Sequence, residues 1–170
     1  MITDAVFDHD GLKRYMLLRC WAPSPSVVRT VNFIGLNPSL AGRETNDATI
    51  RKEIGFATRW GFNRLIATNL IPVVSTDPWE LPNWSGFDRT NQDYVSTWLA
   101  ADLVVAAWGA VPIALAERIG LPEYLYWLTQ QIGDKPLYCI GTTVKGMPLH
   151  PSRAAYTSQP VLWRAQGETS

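Results

Sequence analysis

Hydrophobic positions along the chain follow two rhythms. Short, nearly unbroken apolar runs, "RYMLLRCW", "VVRTVNFIGL", "RLIATNL", "ADLVVAAWG" and "KPLYCIG", read as strands. Between them the spacing turns helical. Ile50, Ile54, Ala57 and Trp60 recur at intervals of three and four, which predicts a helix opening at Asn46 or Asp47, both fitting N-caps, and stopped by Gly61. Further helices are expected over 88–101, 111–119 and 122–131, and Pro151 suits the first turn of a last one. A Pro-Ser-Pro-Ser turn at 23–26 ends the first strand, which is expected to pair with the second as an antiparallel hairpin.

Strands alternating with helices imply an α/β fold. The expectation is a three-layer sandwich with a mainly parallel four-stranded central sheet and an N-terminal hairpin, forming one domain over 1–170. The segment "IPVVSTDPWELPNWSGFD" is too long and irregular for an ordinary connection and too aromatic for disorder, so it is expected to serve function.

Composition narrows this picture. Hydrophobic residues are 46% of 170, enough for one sizeable core, and eight tryptophans imply that some line a cleft. Cys20 and Cys139 each sit inside an apolar run and read as buried thiols. Two cysteines and two histidines without close spacing do not make a zinc or iron–sulphur site, so no metal is expected. The start, "MITDAVFDHDG", is polar and acidic rather than a secretory signal, and no apolar run spans a bilayer; a soluble cytoplasmic protein is expected. Zero net charge argues against strong general nucleic-acid affinity but allows a local basic groove. Arg43, Arg51, Lys52, Arg59 and Arg64 cluster in one segment, and Lys145 and Arg153 flank His150.

In a parallel α/β sheet the ligand crevice lies beyond the carboxyl ends of the strands. Those ends carry Gly35-Leu36-Asn37-Pro38-Ser39, then Asn69, then Trp108-Gly109, then Gly141 leading to His150-Pro151-Ser152. An asparagine offers an amide acceptor and two donor hydrogens, which suits a nucleobase edge. His150 can donate to developing negative charge. Trp108 or Phe56 can stack on a planar ring, and Gly35 allows close backbone approach. Asp47 is the nearest acid. Each residue also has a plainer role open to it: Asn37 organising a turn, Asn69 capping a helix, His150 supporting structure.

These segments carry a resemblance. "FIGLNPSLAG" resembles the first motif of the uracil-DNA glycosylase superfamily, above all its mismatch-specific thymine/uracil branch, whose pattern is roughly Gly-Ile-Asn-Pro-Gly. "LHPSRAA" resembles the second motif, His-Pro-Ser, and "LIATNLIP" resembles the strand bearing a base-reading asparagine. "GLNPS", "NDATIR" and "NL" also resemble an uncharacterised bacterial and phage family, a domain of unknown function (DUF1643), which is the closer of the two and brings no activity.

The glycosylase resemblance implies hydrolysis of an N-glycosidic bond in DNA on a flipped base, with no metal or organic cofactor; the oligomeric state is left open, with a monomer favoured. Asn37 would position water against the sugar C1′, and Asp47 would assist because a neutral amide is a weak base. His150 would stabilise the departing base, an effect worth about 3 to 4 kcal/mol by analogy with an oxyanion-hole donor. Asn69 would read the base, with Gly35, Leu36, Pro38, Ser39, Asn46, Phe56 and Trp108 completing its site. Ser152, Arg153, Arg43 and Lys145 would hold phosphate.

The chain also departs from the pattern. Ser39 stands where relatives have glycine, and "NDATIR" replaces the segment that shapes the base pocket. Such changes imply an unusual base, such as a phage-modified pyrimidine, or loss of cleavage. Two other expectations therefore stand beside hydrolysis: a reader or hypermodification enzyme of unusual DNA bases, and a nucleotide or small-molecule enzyme on a generic α/β sheet. "GLNPS" lacks the second proline and the aromatic of the amino-methyltransferase motif.

Overall fold

The computed structural model describes residues 1–23 and 27–164; residues 24–26 of the expected turn lie outside the described residues. The strands are β1 (Ile2–Phe7), β2 (Arg14–Cys20), β3 (Thr30–Gly35), β4 (Arg64–Asn69), β5 (Leu103–Ala106), β6 (Leu137–Cys139) and β7 (Val161–Arg164). The helices are α1 (Ala48–Arg59), α2 (Arg89–Trp98), α3 (Ile113–Ile119) and α4 (Leu121–Ile132). All the strands join one sheet in the order β1-β2-β4-β3-β5-β6-β7.

The sheet is seven-stranded and mixed, not the four-stranded sheet expected. Its middle, β4-β3-β5-β6, is parallel. Antiparallel strands extend both edges: β2 and β1 beyond β4, and β7 beyond β6. β2 cannot pair with β3 as expected, because both edges of β3 are taken by β4 and β5. It pairs with β4, Leu17 opposite Ala67 and Cys20 opposite Arg64, and its hairpin partner is β1. β1 is an edge strand in which only Ala5 is fully buried, so it carries little hydrophobic pattern.

The helix expected from Pro151 is a single 3₁₀ turn, Pro151–Arg153, after which the chain runs to β7. Trp163 explains the strand. Its indole Nε1–H donates to the Gly146 carbonyl at 2.8 Å, and its ring meets Trp108 edge-on at 5.1 Å. These contacts hold the segment extended along β6.

Alternate residues of the central strands enter two cores. Phe33 and Val105 face α1, where they meet Ile50, Phe56 and Ala57. Ile34 and Val104 face α2, α3 and α4, where they meet Val95, Leu115, Ile119, Tyr124 and Leu128. Helices thus cover both faces of the sheet. Asp47 is the N-cap of α1, accepting the Ile50 N–H at 2.8 Å, and Asp88 caps α2 through the Asn91 N–H. Cys20 is half-buried; Cys139 is buried, and burial raises its thiol above the ordinary range. Among the described residues no helix is long and apolar enough to cross a membrane.

One buried cation fixes the chain entering α1. Arg19 is fully buried on β2 and uses every N–H it has. Nε donates to Asn46 Oδ1 (2.8 Å), Nη1 to the Asp4 and Leu18 carbonyls, and Nη2 to those of Gly42 (2.7 Å) and Thr45 (3.0 Å). Arg19→Met keeps the apolar stem and strands these acceptors. It is expected to cost about 3 kcal/mol, seen in thermal unfolding as a fall of roughly 6–12 °C.

Candidate active site

The strand ends meet because β3 and β4 run parallel in register, with Gly35 opposite Asn69. The Asn69 carboxamide lies across Gly35, where a Cβ would stand 2.7 Å from its Oδ1. Only glycine leaves that room. Asn91, buried on α2, donates its amide hydrogens to the carbonyls of Asn69 (2.9 Å) and Leu70 (3.0 Å), holding the chain just past β4.

Asn37 closes the turn after β3. Its Nδ2 donates to the carbonyls of Pro38 (3.1 Å), Val73 (3.3 Å) and Ser75 (2.9 Å), while the Ser75 N–H donates to Pro38 O. The chain entering β2 fastens the same segment, Arg14 N–H donating to Pro72 O and Leu12 O accepting from Val74 N–H. The Pro/Trp-rich stretch is thereby drawn over the strand ends, bringing Ser75, Thr76 and Pro78 to the site. With both amide hydrogens committed to carbonyls, Asn37 has its Oδ1 acceptor left to offer.

His150 arrives from the far end of the chain. Its Cβ side packs on Gly109, where an added Cβ would stand 3.1 Å away. Nδ1 accepts the Ser152 N–H at 3.2 Å and lies 2.8 Å from Ser152 Oγ. A ring nitrogen that accepts a backbone N–H carries no proton, so the neutral ring's hydrogen is on Nε2. Burial lowers the imidazole's pKa from 6.5; Asp47 opposes this and Arg153 adds to it. The ring is therefore a neutral Nε2–H donor at pH 7.

These groups share one cavity of about 240 Å³. Of the residues singled out in the sequence, it is lined by Gly35, Leu36, Asn37, Ser39, Asp47, Asn69, Trp108 and His150. The others lie elsewhere. Phe56 is fully buried in the α1 core, against Trp60 (5.3 Å) and Tyr156 (5.4 Å), so its ring has no free face for a base. The Asn46 amide oxygen is taken by Arg19. Pro38 is buried outside the lining. Arg43 pairs with Asp4 and also donates to Ala5 O. Ser152 and Arg153 are exposed beside His150, and Lys145 is exposed on the 143–146 turn; none of the three lines the cavity.

Two charged lining residues escape the sequence reading: Arg14, at the start of β2, and Glu53, in the middle of α1. Both are buried, 3% and 4% exposed. Glu53 follows Ile50 by three and precedes Ala57 by four, so it stands on the inward stripe of α1, whereas Ile54 is only half-buried. A charged residue on an otherwise apolar stripe is the signal that marks it. Burial pushes its carboxyl from 4.5 up to about 8; Arg14 opposes the shift and Asp47 reinforces it. Burial also lowers the Arg14 guanidinium's pKa. The two do not appear among the ion pairs of the described residues.

Arg14 Nε, Glu53 Oε2, Asn69 Nδ2 and Trp108 Nε1 are buried without a hydrogen-bond partner, and all four residues line this cavity. Each such group costs about 1–3 kcal/mol when left unpaired. Their concentration in one place gives the cavity a set of hydrogen-bonding groups that a guest can meet.

Glu53 also predicts a pH dependence of stability. Between pH 4.5 and about 8 the native chain keeps a proton that the unfolded chain has released. Stability therefore falls as pH rises through that window, by up to about 1.4 kcal/mol per pH unit. His150 acts oppositely, and below 6.5: there the unfolded chain takes up the proton first, so stability falls as pH drops. Denaturant unfolding between pH 6.5 and 8 isolates the Glu53 effect. The natural chain is expected to lose stability across that range, and Glu53→Gln to flatten the loss.

A mixed sheet with a parallel centre and a ligand-sized polar pocket at its strand ends defines the class: a pocket-bearing α/β protein. Among the described residues no group of three or more His, Cys, Asp or Glu is placed to hold a metal ion. The chain belongs to the family described as "Protein of unknown function (DUF1643)", whose model matches residues 14–152, a span that contains every residue lining the pocket. No curated protein and no solved structure matches it.

Proposed function

We propose that the cavity is a nucleobase site of uracil-DNA glycosylase type and that the protein hydrolyses the N-glycosidic bond of a uracil-like, mismatched or modified pyrimidine in DNA. The observation that carries this reading is the meeting of Asn37, Asp47, Asn69 and His150, drawn from opposite ends of the sequence, around one cavity of about 240 Å³. That volume suits a small planar ring.

A base extruded from the stack enters the cavity. Asn69 meets its edge with an unpartnered Nδ2, and the Trp108 Nε1–H adds a second donor. Trp108 thus acts through its indole N–H rather than by stacking. Asn37 Oδ1 and Asp47 are acceptors, suited to hold a water by its two hydrogens. The His150 Nε2–H faces charge that develops on the departing base. In this reading Ser152 and Arg153, exposed beside His150, follow the DNA backbone.

The test is incubation with single- and double-stranded oligonucleotides carrying uracil, mismatched thymine or hydroxymethyluracil, scored for abasic sites. Cleavage of one of them supports the reading, and its absence at high protein concentration removes it.

One observation favours a second reading, a free nucleoside or nucleotide as substrate. Arg43, expected on phosphate, is paired with Asp4. Release of base from free nucleosides with none from any oligonucleotide selects that reading.

A further inference from the structure

Glu53 enters neither the sequence motifs nor the water-activating set, and it is the least expected group in the cavity. A buried carboxyl ordinarily has an ion-pair or hydrogen-bond partner. Glu53 Oε2 has none, and Arg14, which lines the same cavity, keeps a buried Nε–H unpartnered. Asn69 Nδ2 and Trp108 Nε1 complete this buried set. With Glu53 in its acid form, every one of these groups is a donor. The lining also carries acceptors, Asn69 Oδ1 on a buried residue and Asn37 Oδ1 and Asp47 on half-buried ones. The buried unpartnered groups of the lining are thus all donors.

We propose that Glu53 is the proton donor to the departing base, with Arg14 holding the same carbonyl-bearing edge. This rests on the glycosidic reading of the pocket and assigns the acid that the reading lacks. As the bond from the sugar C1′ to the base nitrogen breaks, its electron pair goes to the base, and the Glu53 proton passes to a base carbonyl oxygen. The water between Asn37 and Asp47 adds its oxygen to C1′ and gives one proton to Asp47. That proton returns to Glu53 through solvent. One water is consumed, and a neutral base and a sugar hydroxyl are formed.

The charged and titratable groups around Glu53 are Arg14 from β2, Asp47 at the N-cap of α1 and His150 from the 3₁₀ turn. Arg14 favours the carboxylate and Asp47 the acid. Loss of the Glu53 proton above pH about 8 gives the rate an alkaline limb.

The experiment compares the natural chain with Glu53→Gln, which keeps the shape of the protonated acid, on oligonucleotides carrying uracil and 5-fluorouracil. The fluorinated base is the better leaving group and needs less protonation. Expected is a loss on the order of 10²-fold with uracil, a much smaller loss with 5-fluorouracil, and disappearance of the alkaline limb in the variant. Equal losses on the two bases, an unchanged alkaline limb, or a variant as fast as the natural chain would each overturn the assignment. If the natural chain itself releases neither base, the glycosidic reading fails and the proposal goes with it, a result distinct from the other three. Thermal unfolding of both proteins at pH 7 separates loss of fold from loss of the proton.

Discussion

Asn37→Ala is expected to lower the rate of base release by on the order of 10² to 10³, the size of effect seen when one preorganised polar group is removed from a reacting centre. Two losses combine. The Oδ1 acceptor that orients water disappears. So do the hydrogen bonds to the Pro38, Val73 and Ser75 carbonyls, which draw the Pro/Trp-rich stretch over the strand ends. The second loss costs stability as well, about 1–2 kcal/mol. Asn37→Asp separates the roles. A carboxylate keeps an acceptor for water, but at neutral pH it sets negative charge against those carbonyls and has no hydrogen to give them. It is expected to be less stable than the alanine variant at pH 7 and to recover stability in acid, as its carboxyl regains a hydrogen to donate. Steady-state rates and unfolding curves on the three proteins check both effects; an alanine variant within threefold of the natural rate removes Asn37 from the mechanism.

Gly120→Ala is expected to be the most destabilising single change considered, at about 3–4 kcal/mol or roughly 10 °C of melting temperature. Gly120 ends α3 and begins α4 in the left-handed region, φ 74° and ψ 33°, which costs an L residue roughly 1–2 kcal/mol. There is also no room. A Cβ would stand 2.5 Å from Trp84 Cδ2 and Cε3. The ring cannot retreat, because Phe87 and Tyr124 meet it edge-on at 4.9 and 5.1 Å and its backbone N–H donates to the Arg118 carbonyl at 2.8 Å. Arg118 in turn donates to the carbonyls of Trp79 and Leu81. The glycine thus seats the stretch that also supplies Ser75, Thr76 and Pro78 to the cavity. A loss under 1 kcal/mol in thermal unfolding would contradict this packing.

What the sequence makes legible follows burial on two faces. The central strands carry near-continuous apolar runs, such as "LVVAAW", because both sides of each strand are covered, and such runs need no partner information to be read. The edges are harder. β1 buries little beyond Ala5, and β7 shows Val161 and Leu162 to solvent, so neither carries a core pattern. The pairing of β2 with β4 depends on which edge is free once β3 is enclosed, a property of the sheet rather than of either segment.

The site divides in the same way. Asn37, Asn69 and Trp108 stand at or just past the ends of β3, β4 and β5, where topology alone predicts convergence, and His150 returns to them through the loop that follows β6. Arg14 and Glu53 sit inside regular elements and reach the cavity through the stacking of α1 on the sheet, which local spacing does not encode. Asn46 and Phe56 fail for the opposite reason. Each looks chemically apt, but a neighbour distant in sequence, Arg19 for one and Tyr156 for the other, already occupies it.

The central claim is that the buried donors of this cavity recognise a pyrimidine ring. Nitrogen-15 NMR during titration with free uracil tests it most directly, with the Trp108 indole signal assigned by its absence in Trp108→Phe. The account predicts that the Trp108 Nε1–H and Asn69 Nδ2–H signals shift together and saturate at one ligand per chain. Signals that stay fixed while uracil binds elsewhere, or that do not respond at millimolar uracil, would contradict it.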